Sequence, residues 1–198
     1  MRMISTDEKA QSSRIVLCTG GARSGKSEFA ERLVLSLPGQ KGYVATGQAF
    51  DDEMKDRIAK HRARRGAQWR NFEIPFKLQE TWPTVLSQCD IILVDCLTMY
   101  TTNAMLADNP ETQEQCHQLE QQLMAELSAV IAQARQAQKT VVFVTNELGL
   151  GIVPDNAMAR HFRDIAGLVN QTVATLADEV YLTLSGITIE VKSREVVL

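Results

Sequence analysis

No hydrophobic run in this sequence is long. The aliphatic stretches at 91–94 and 141–144 end after a handful of residues, whereas a bilayer-spanning helix needs about 20 apolar residues. The opening MRMISTDEKAQSS has one arginine and no apolar segment. Residues 1–13 therefore do not read as a secretory signal, and a disordered lead-in is expected there. Paired cysteines are missing too. Cys18, Cys89, Cys96 and Cys116 lie far apart, with no CxxC and no histidine at ligand spacing. That excludes a disulfide framework or a zinc ribbon and suits reduced thiols in a cytoplasmic protein. An excess of one charge is absent: 21 basic against 24 acidic residues leaves −3, too little for a broad nucleic-acid or membrane-surface footprint. The chain has 5 prolines, 11 glycines, no Pro/Gly/Ser-rich linker and no internal repeat, so residues 14–198 read as one domain. With 44% hydrophobic and 23% charged residues, bulk disorder is excluded and a self-sufficient core is within reach.

What the sequence does contain is an alternation of short aliphatic runs and longer helical patterns. RIVLCT (14–19), GYVAT (42–46), DIILVDCL (90–97) and TVVFVT (140–145) read as strands. Near-continuous aliphatic runs suit a sheet covered on both faces. Helices are expected over 28–37, over 51–65, and over about 155–177. A further helix carries Leu119, Leu123, Leu127, Val130, Ile131 and Ala134, whose spacings of three and four make one apolar stripe. Residues 179–184 and 187–192 read as a closing hairpin around Ser185-Gly186. The expected fold is α/β: a mostly parallel sheet with right-handed crossovers, helices on both faces and an antiparallel edge hairpin.

Gly20-Gly21-Ala22-Arg23-Ser24-Gly25-Lys26-Ser27 fits G-x-x-x-x-G-K-[ST], the P-loop of nucleoside-triphosphate-binding proteins. Its glycines let backbone N–H groups converge on phosphate oxygens, Lys26 neutralises β/γ charge, and the Ser27 hydroxyl is placed for Mg²⁺. The motif follows an expected strand and opens an expected helix, the context it requires. Asp95, late in the run at 91–95, is either the metal-holding carboxylate of such a site or a polar residue ending a strand. Asn146-Glu147, after the strand ending at 145, either meet substrate or cap the loop.

Lys60-His61-Arg62-Ala63-Arg64-Arg65 is either a solvated C-terminal helix turn favoured by the dipole or a second anion site. An imidazole among cations is kept unprotonated at neutral pH and suits attack on a phosphate. His161 reads as a half-exposed helix histidine, and His117, in a polar run, as surface.

Three segments together resemble a known family: GGARSGKSEFAERL (20–33), YVATGQAFDDEMKDRIAKHRARRGAQW (43–69) and VTNELGLGIVPDNAMARHFRDIAGLVNQ (144–171). They are similar to the bifunctional adenosylcobinamide kinase/adenosylcobinamide-phosphate guanylyltransferases of cobalamin biosynthesis. The resemblance covers about residues 14–192. It implies two reactions. ATP or GTP phosphorylates the amino-alcohol hydroxyl of adenosylcobinamide; GMP then passes from GTP to that phosphate, giving adenosylcobinamide-GDP. It also implies a covalent guanylyl-histidine intermediate, and His61 is the only histidine in the matching segment. Carried over in the same way, Gly20 through Ser27, Thr46, Gly47, Gln48, Arg64, Arg65, Gly66, Ala67, Glu73 and Asp95 bind nucleotide. Ser27 and Asp95 hold Mg²⁺, and Lys26 and His61 are catalytic. Family enzymes are homo-oligomeric and act on a corrinoid. A rival reading is a monofunctional P-loop small-molecule kinase, which predicts no covalent nucleotide adduct. A nucleotide-dependent switch protein would show no corrinoid-stimulated turnover.

Overall fold

The computed structural model describes residues 13–48 and 68–196. In chain order the elements are β1 (Arg14–Gly20), α1 (Lys26–Leu35), β2 (Lys41–Ala45), β3 (Trp69–Glu73), α2 (Leu78–Gln88), β4 (Ile91–Asp95), α3 (Leu97–Asp108), α4 (Gln113–Gln136), β5 (Thr140–Val144), α5 (Ala157–Leu176), β6 (Glu179–Leu184) and β7 (Ile187–Glu190). The strands form one sheet in the order β3-β2-β4-β5-β1-β6-β7. Every pair is parallel except the β6–β7 hairpin. The expected architecture is present, including the antiparallel edge. The expected helix over 51–65 and the lead-in before Ser13 lie outside the described residues.

Both faces of the sheet are covered, and the strand residues alternate between them as the pleat requires. Ile15, Leu17, Ile92, Val94, Val141 and Phe143 pack under α2–α5. Val16, Cys18, Ile91, Leu93, Val142 and Val144 pack on the other face with Ala30 and Val34 of α1. Burial on both sides explains why β1, β4 and β5 are aliphatic without a polar alternate.

Most boundaries differ by one or two residues from the sequence reading, and two of the differences have a visible cause. β4 stops at Asp95 rather than continuing to 97, because Leu97 opens α3, whose N-terminal Met99 N–H is accepted by the Cys96 sulfur at 3.4 Å. α1 begins at Lys26, two residues before the expected start, because the helix grows directly out of the phosphate loop. β3, α2 and α3 carry no clear signal in the sequence. β3 (WRNFE) is mostly exposed, and α2 contains Pro83. α3 buries residues scattered around its circumference rather than along one stripe.

The N-terminal edge of the sheet is fastened by ion pairs. Arg14 of β1 donates twice to Glu179 of β6, with Nε–Oε1 at 2.6 Å. Arg135 pairs with Asp178 and Lys139 with Asp90, each at 2.9 Å. Asp178 also accepts the Ile15 N–H at 2.7 Å. Burial works to raise the pKa values of Glu179 and Asp178, but hydrogen bonds from Arg14 and Tyr181 in one case, and from Arg135 and the Ile15 N–H in the other, hold both below the ordinary carboxylate range. The opposite, C-terminal edge is left for chemistry.

Candidate functional site

The phosphate loop leaves β1 at Gly20 and turns into α1 at Lys26. Gly25, the residue capping α1, has φ +99°, a left-handed conformation that glycine adopts without a Cβ penalty. At Gly20 the constraint is space: a Cβ would strike the Thr183 carbonyl and come within 2.8 Å of Ser24 Oγ. The loop is closed by the Ser24 N–H on the Gly21 carbonyl at 3.3 Å and tied to the far hairpin by the Gly186 N–H on the Ser24 carbonyl at 2.8 Å. Ala22 and Arg23 are exposed at its crown, with Arg23 at φ +56°. Lys26 is buried, its Nζ donating to the Gly21 carbonyl at 3.1 Å, so the ammonium lies folded over the loop. The N–H groups and dipole of the α1 N-terminus lie at the same loop, a ready anion site. Ser27 follows, half-buried.

The other predicted residues that the structure describes gather along the same edge. Asp95 ends β4, and alternation from Ile91 and Leu93 turns it toward the α1 face. Tyr43 of β2 donates its hydroxyl to Asp95 Oδ2 at 3.0 Å. Thr46 is fully buried and locked beside it: its Oγ1 donates to the Cys96 carbonyl and accepts the Cys96 N–H, both at 2.7 Å. Glu73 ends β3 opposite Ala45, the residue before Thr46. Thus Thr46, Gly47, Gln48, Glu73 and Asp95 stand on neighbouring strand ends, with β5 alone between β4 and the strand bearing the loop. His61, Arg64, Arg65, Gly66 and Ala67 lie outside the described residues.

Several positions that brace this edge had no sequence signal. Asn103 of α3, buried, donates through Nδ2 to the Thr46 carbonyl at 2.7 Å and the Pro75 carbonyl at 3.0 Å, bracing the β2 and β3 ends together. After β5, Thr145 Oγ1 donates to Asn170 Oδ1 at 2.7 Å and lies 3.2 Å from Thr98 Oγ1. Only strand order brings these residues together, so no local motif could have found them. His161 is half-buried on α5, as the sequence suggested. His117 is exposed, within 3.8 Å of Glu120. The two line a cleft with Asp164, apart from the phosphate loop.

The four cysteines are free. Burial pushes the Cys18 thiol up to about 12, and burial together with Asp95 does the same for Cys96, so neither is a nucleophile at neutral pH. Among the described residues no three His, Cys, Asp or Glu side chains group to hold a metal ion, and no helix is long and apolar enough to cross a membrane.

A family model described as Cobinamide kinase / cobinamide phosphate guanyltransferase matches residues 16–191. The chain belongs to this family. It is 45% identical to the "Bifunctional adenosylcobalamin biosynthesis protein CobU" of Salmonella typhimurium over 181 residues, 90% of this chain and 99% of that protein. Its identity to the protein of the same name from Escherichia coli is 42% over the same extents. The "Bifunctional adenosylcobalamin biosynthesis protein CobP" of Pseudomonas aeruginosa is 39% identical over 176 residues, 89% and 96% of the two chains. Among solved structures, the RadB recombinase aligns with a TM-score of 0.50 at 18% identity, covering 86% of this chain and 74% of its own. That likeness concerns the fold. Family membership adds a requirement: the protein must carry out two transfers from nucleoside triphosphates.

Proposed function

We propose that the chain is a bifunctional enzyme of cobalamin biosynthesis. It phosphorylates the hydroxyl of adenosylcobinamide and then transfers GMP from GTP to the resulting phosphate through a guanylyl group on His61. The observation that carries the reading is the phosphate loop with buried Lys26 folded over it, in a chain whose full-length relatives bear the bifunctional name. Phosphoryl transfer needs positioning and charge neutralisation above all, and the α1 N-terminus with Lys26 offers both.

The donor set suits Mg²⁺. Asp95 Oδ1 and the Ser27 hydroxyl are hard oxygen donors, with Asp95 Oδ2 engaged by Tyr43. Mg²⁺ is ordinarily held by one or two carboxylates, water and the substrate phosphates. When bound, the ion would neutralise charge on the phosphate oxygens. Thr46, Gly47, Gln48 and Glu73, with the segment from Arg64 to Ala67, would frame the nucleotide. A histidine intermediate splits GMP transfer into two displacements: His61 nitrogen bonds to the α-phosphorus as pyrophosphate leaves, then the acceptor phosphate oxygen displaces the histidine. We place the enzyme in the cytoplasm as a homo-oligomer. Exposed Leu150, Ile152 and Val153, between β5 and α5, give subunits an apolar surface to bury.

The test is a trapping experiment. Protein mixed with α-labelled GTP and Mg²⁺, then denatured, should retain label that is released by acid, stable to base, and absent from His61→Asn. Retention in His61→Asn would move the nucleophile elsewhere. No retained label, with γ-label still reaching a corrinoid, would leave a kinase alone.

A further inference from the structure

The two reactions differ in one chemical requirement. A phosphate acceptor already carries its nucleophilic charge. An alcohol acceptor must lose a proton as it bonds to phosphorus, so phosphorylation needs a general base that guanylyl transfer does not. His61 is assigned to carrying the guanylyl group, and no described residue given a catalytic or metal-holding role so far can act as that base on the alcohol. Lys26 is a cation, and Asp95 is committed to the metal position and to Tyr43.

Strand order narrows the choice. Neighbouring strands are about 4.8 Å apart, and β1 lies between β5 and β6. Asp95, on β4, is two spacings from the phosphate loop, and Glu73, on β3, is four. On the β6 side the strand residue opposite Gly20 is Thr183, whose hydroxyl pairs with Thr188 at 2.9 Å. On the β5 side the chain continues past Val144 into Thr145-Asn146-Glu147. The Thr145 N–H donates to the Cys18 carbonyl at 3.0 Å and the Glu147 N–H to the Gly20 carbonyl at 3.1 Å. Glu147 is therefore hydrogen-bonded through its backbone to the first residue of the loop.

This segment is unusually well held for an irregular stretch. The Asn146 N–H donates to Thr98 Oγ1 at 2.8 Å, and its carbonyl accepts from Asn170 Nδ2 at 3.1 Å. Four backbone bonds thus fix three residues against β1, α3 and α5, the preorganisation that proton transfer demands. Within the Glu147 carboxylate, Oε1 accepts the Gly149 N–H at 2.6 Å. That bond orients the group and leaves Oε2 without a hydrogen bond from any described residue. The side chain is half-buried and open to a substrate.

We infer that Glu147 is the general base of the phosphorylation step, an assignment resting on the bifunctional reading above. The acceptor hydroxyl proton passes to Glu147 Oε2 as the alcohol oxygen bonds to the γ-phosphorus. The bond from that phosphorus to the β,γ-bridging oxygen breaks, and the electron pair leaves with the nucleoside diphosphate. Guanylyl transfer involves no such proton and does not call on Glu147.

The two activities supply an internal control. Full-length Glu147→Gln keeps an amide oxygen for the Gly149 N–H, so the turn is preserved, but it cannot take up a proton. Phosphorylation of adenosylcobinamide and guanylyl transfer to chemically prepared adenosylcobinamide phosphate are measured side by side. The ratio of the first rate constant to the second should fall about 10²–10⁴-fold, through kcat rather than nucleotide KM, and Glu147→Asp should recover part of it. Equal rates in Glu147→Gln and wild type would reduce the carboxylate to a turn cap. A parallel fall of both reactions would mean that it only supports the site. A wild type that transfers GMP but phosphorylates no corrinoid overturns the kinase reading itself, and the base with it.

Discussion

At position 20 a single added carbon decides whether the phosphate loop can close. An alanine Cβ there would meet the Thr183 carbonyl and lie 2.8 Å from Ser24 Oγ, and the Thr183 carbonyl is backbone that cannot swing aside. Gly20→Ala should cost about 1–3 kcal/mol, the usual penalty for overpacking, and weaken nucleotide binding at least tenfold. Calorimetric melting and titration with a non-hydrolysable triphosphate read the two effects separately; unchanged affinity would show that the loop does not need this contact. Lys26→Ala should abolish both transfers while leaving the fold intact, because the ammonium is turned onto the loop, where it donates to the Gly21 carbonyl, rather than into the apolar core. A variant retaining either transfer near wild-type rate would remove Lys26 from the mechanism. At this scale the sequence spoke clearly about the loop, whose residue types and spacing are local, and left Asp95 open between a metal-holding carboxylate and a strand end. It was silent on Tyr43 and Asn103, because their partners Asp95 and Thr46 lie more than fifty positions away and meet them only through strand order.

Elements legible in sequence share a physical cause. β1, β4 and β5 are buried on both faces, and α4 buries one regular stripe, so each imposes its period on the residues. α2 is held by remote groups instead. Its first two N–H groups, from Leu78 and Gln79, are accepted by Tyr100 Oη at 2.9 Å and Glu126 Oε1 at 3.1 Å, and Trp82 donates to the Val130 carbonyl at 2.9 Å. No cap or stripe near residue 78 announces such a helix. Tyr100→Phe should leave the buried Leu78 N–H without an acceptor and destabilise the protein by about 1–3 kcal/mol. Denaturant titration checks it, and a variant as stable as wild type would show that water or a backbone shift satisfies that group.

Over the whole molecule, function and fastening sit on opposite edges of one sheet. The C-terminal edge carries the described residues proposed to bind nucleotide, and the N-terminal edge carries the pairs Arg14–Glu179, Arg135–Asp178 and Lys139–Asp90. All three carboxylates have folded-state pKa values below their ordinary ones. Their contribution is therefore complete above the unfolded range near pH 4 and is lost as pH falls through the depressed values. The melting temperature should be level from pH 7 down to about 5 and then drop. Glu179→Gln should flatten part of that drop, and an acid limb identical to wild type would assign it to other groups.

The bond from the Gly186 N–H to the Ser24 carbonyl joins a turn near the end of the chain to a loop near its beginning. β6, too, is one of the two neighbours that hold β1 in place. A ribosome releases the phosphate loop early, at about 5–20 residues per second, yet the loop lacks its brace until the last hairpin has emerged. Nascent chains should therefore bind triphosphate only once the β6–β7 hairpin has emerged, and nucleotide capture would then report that the entire sheet has been assembled.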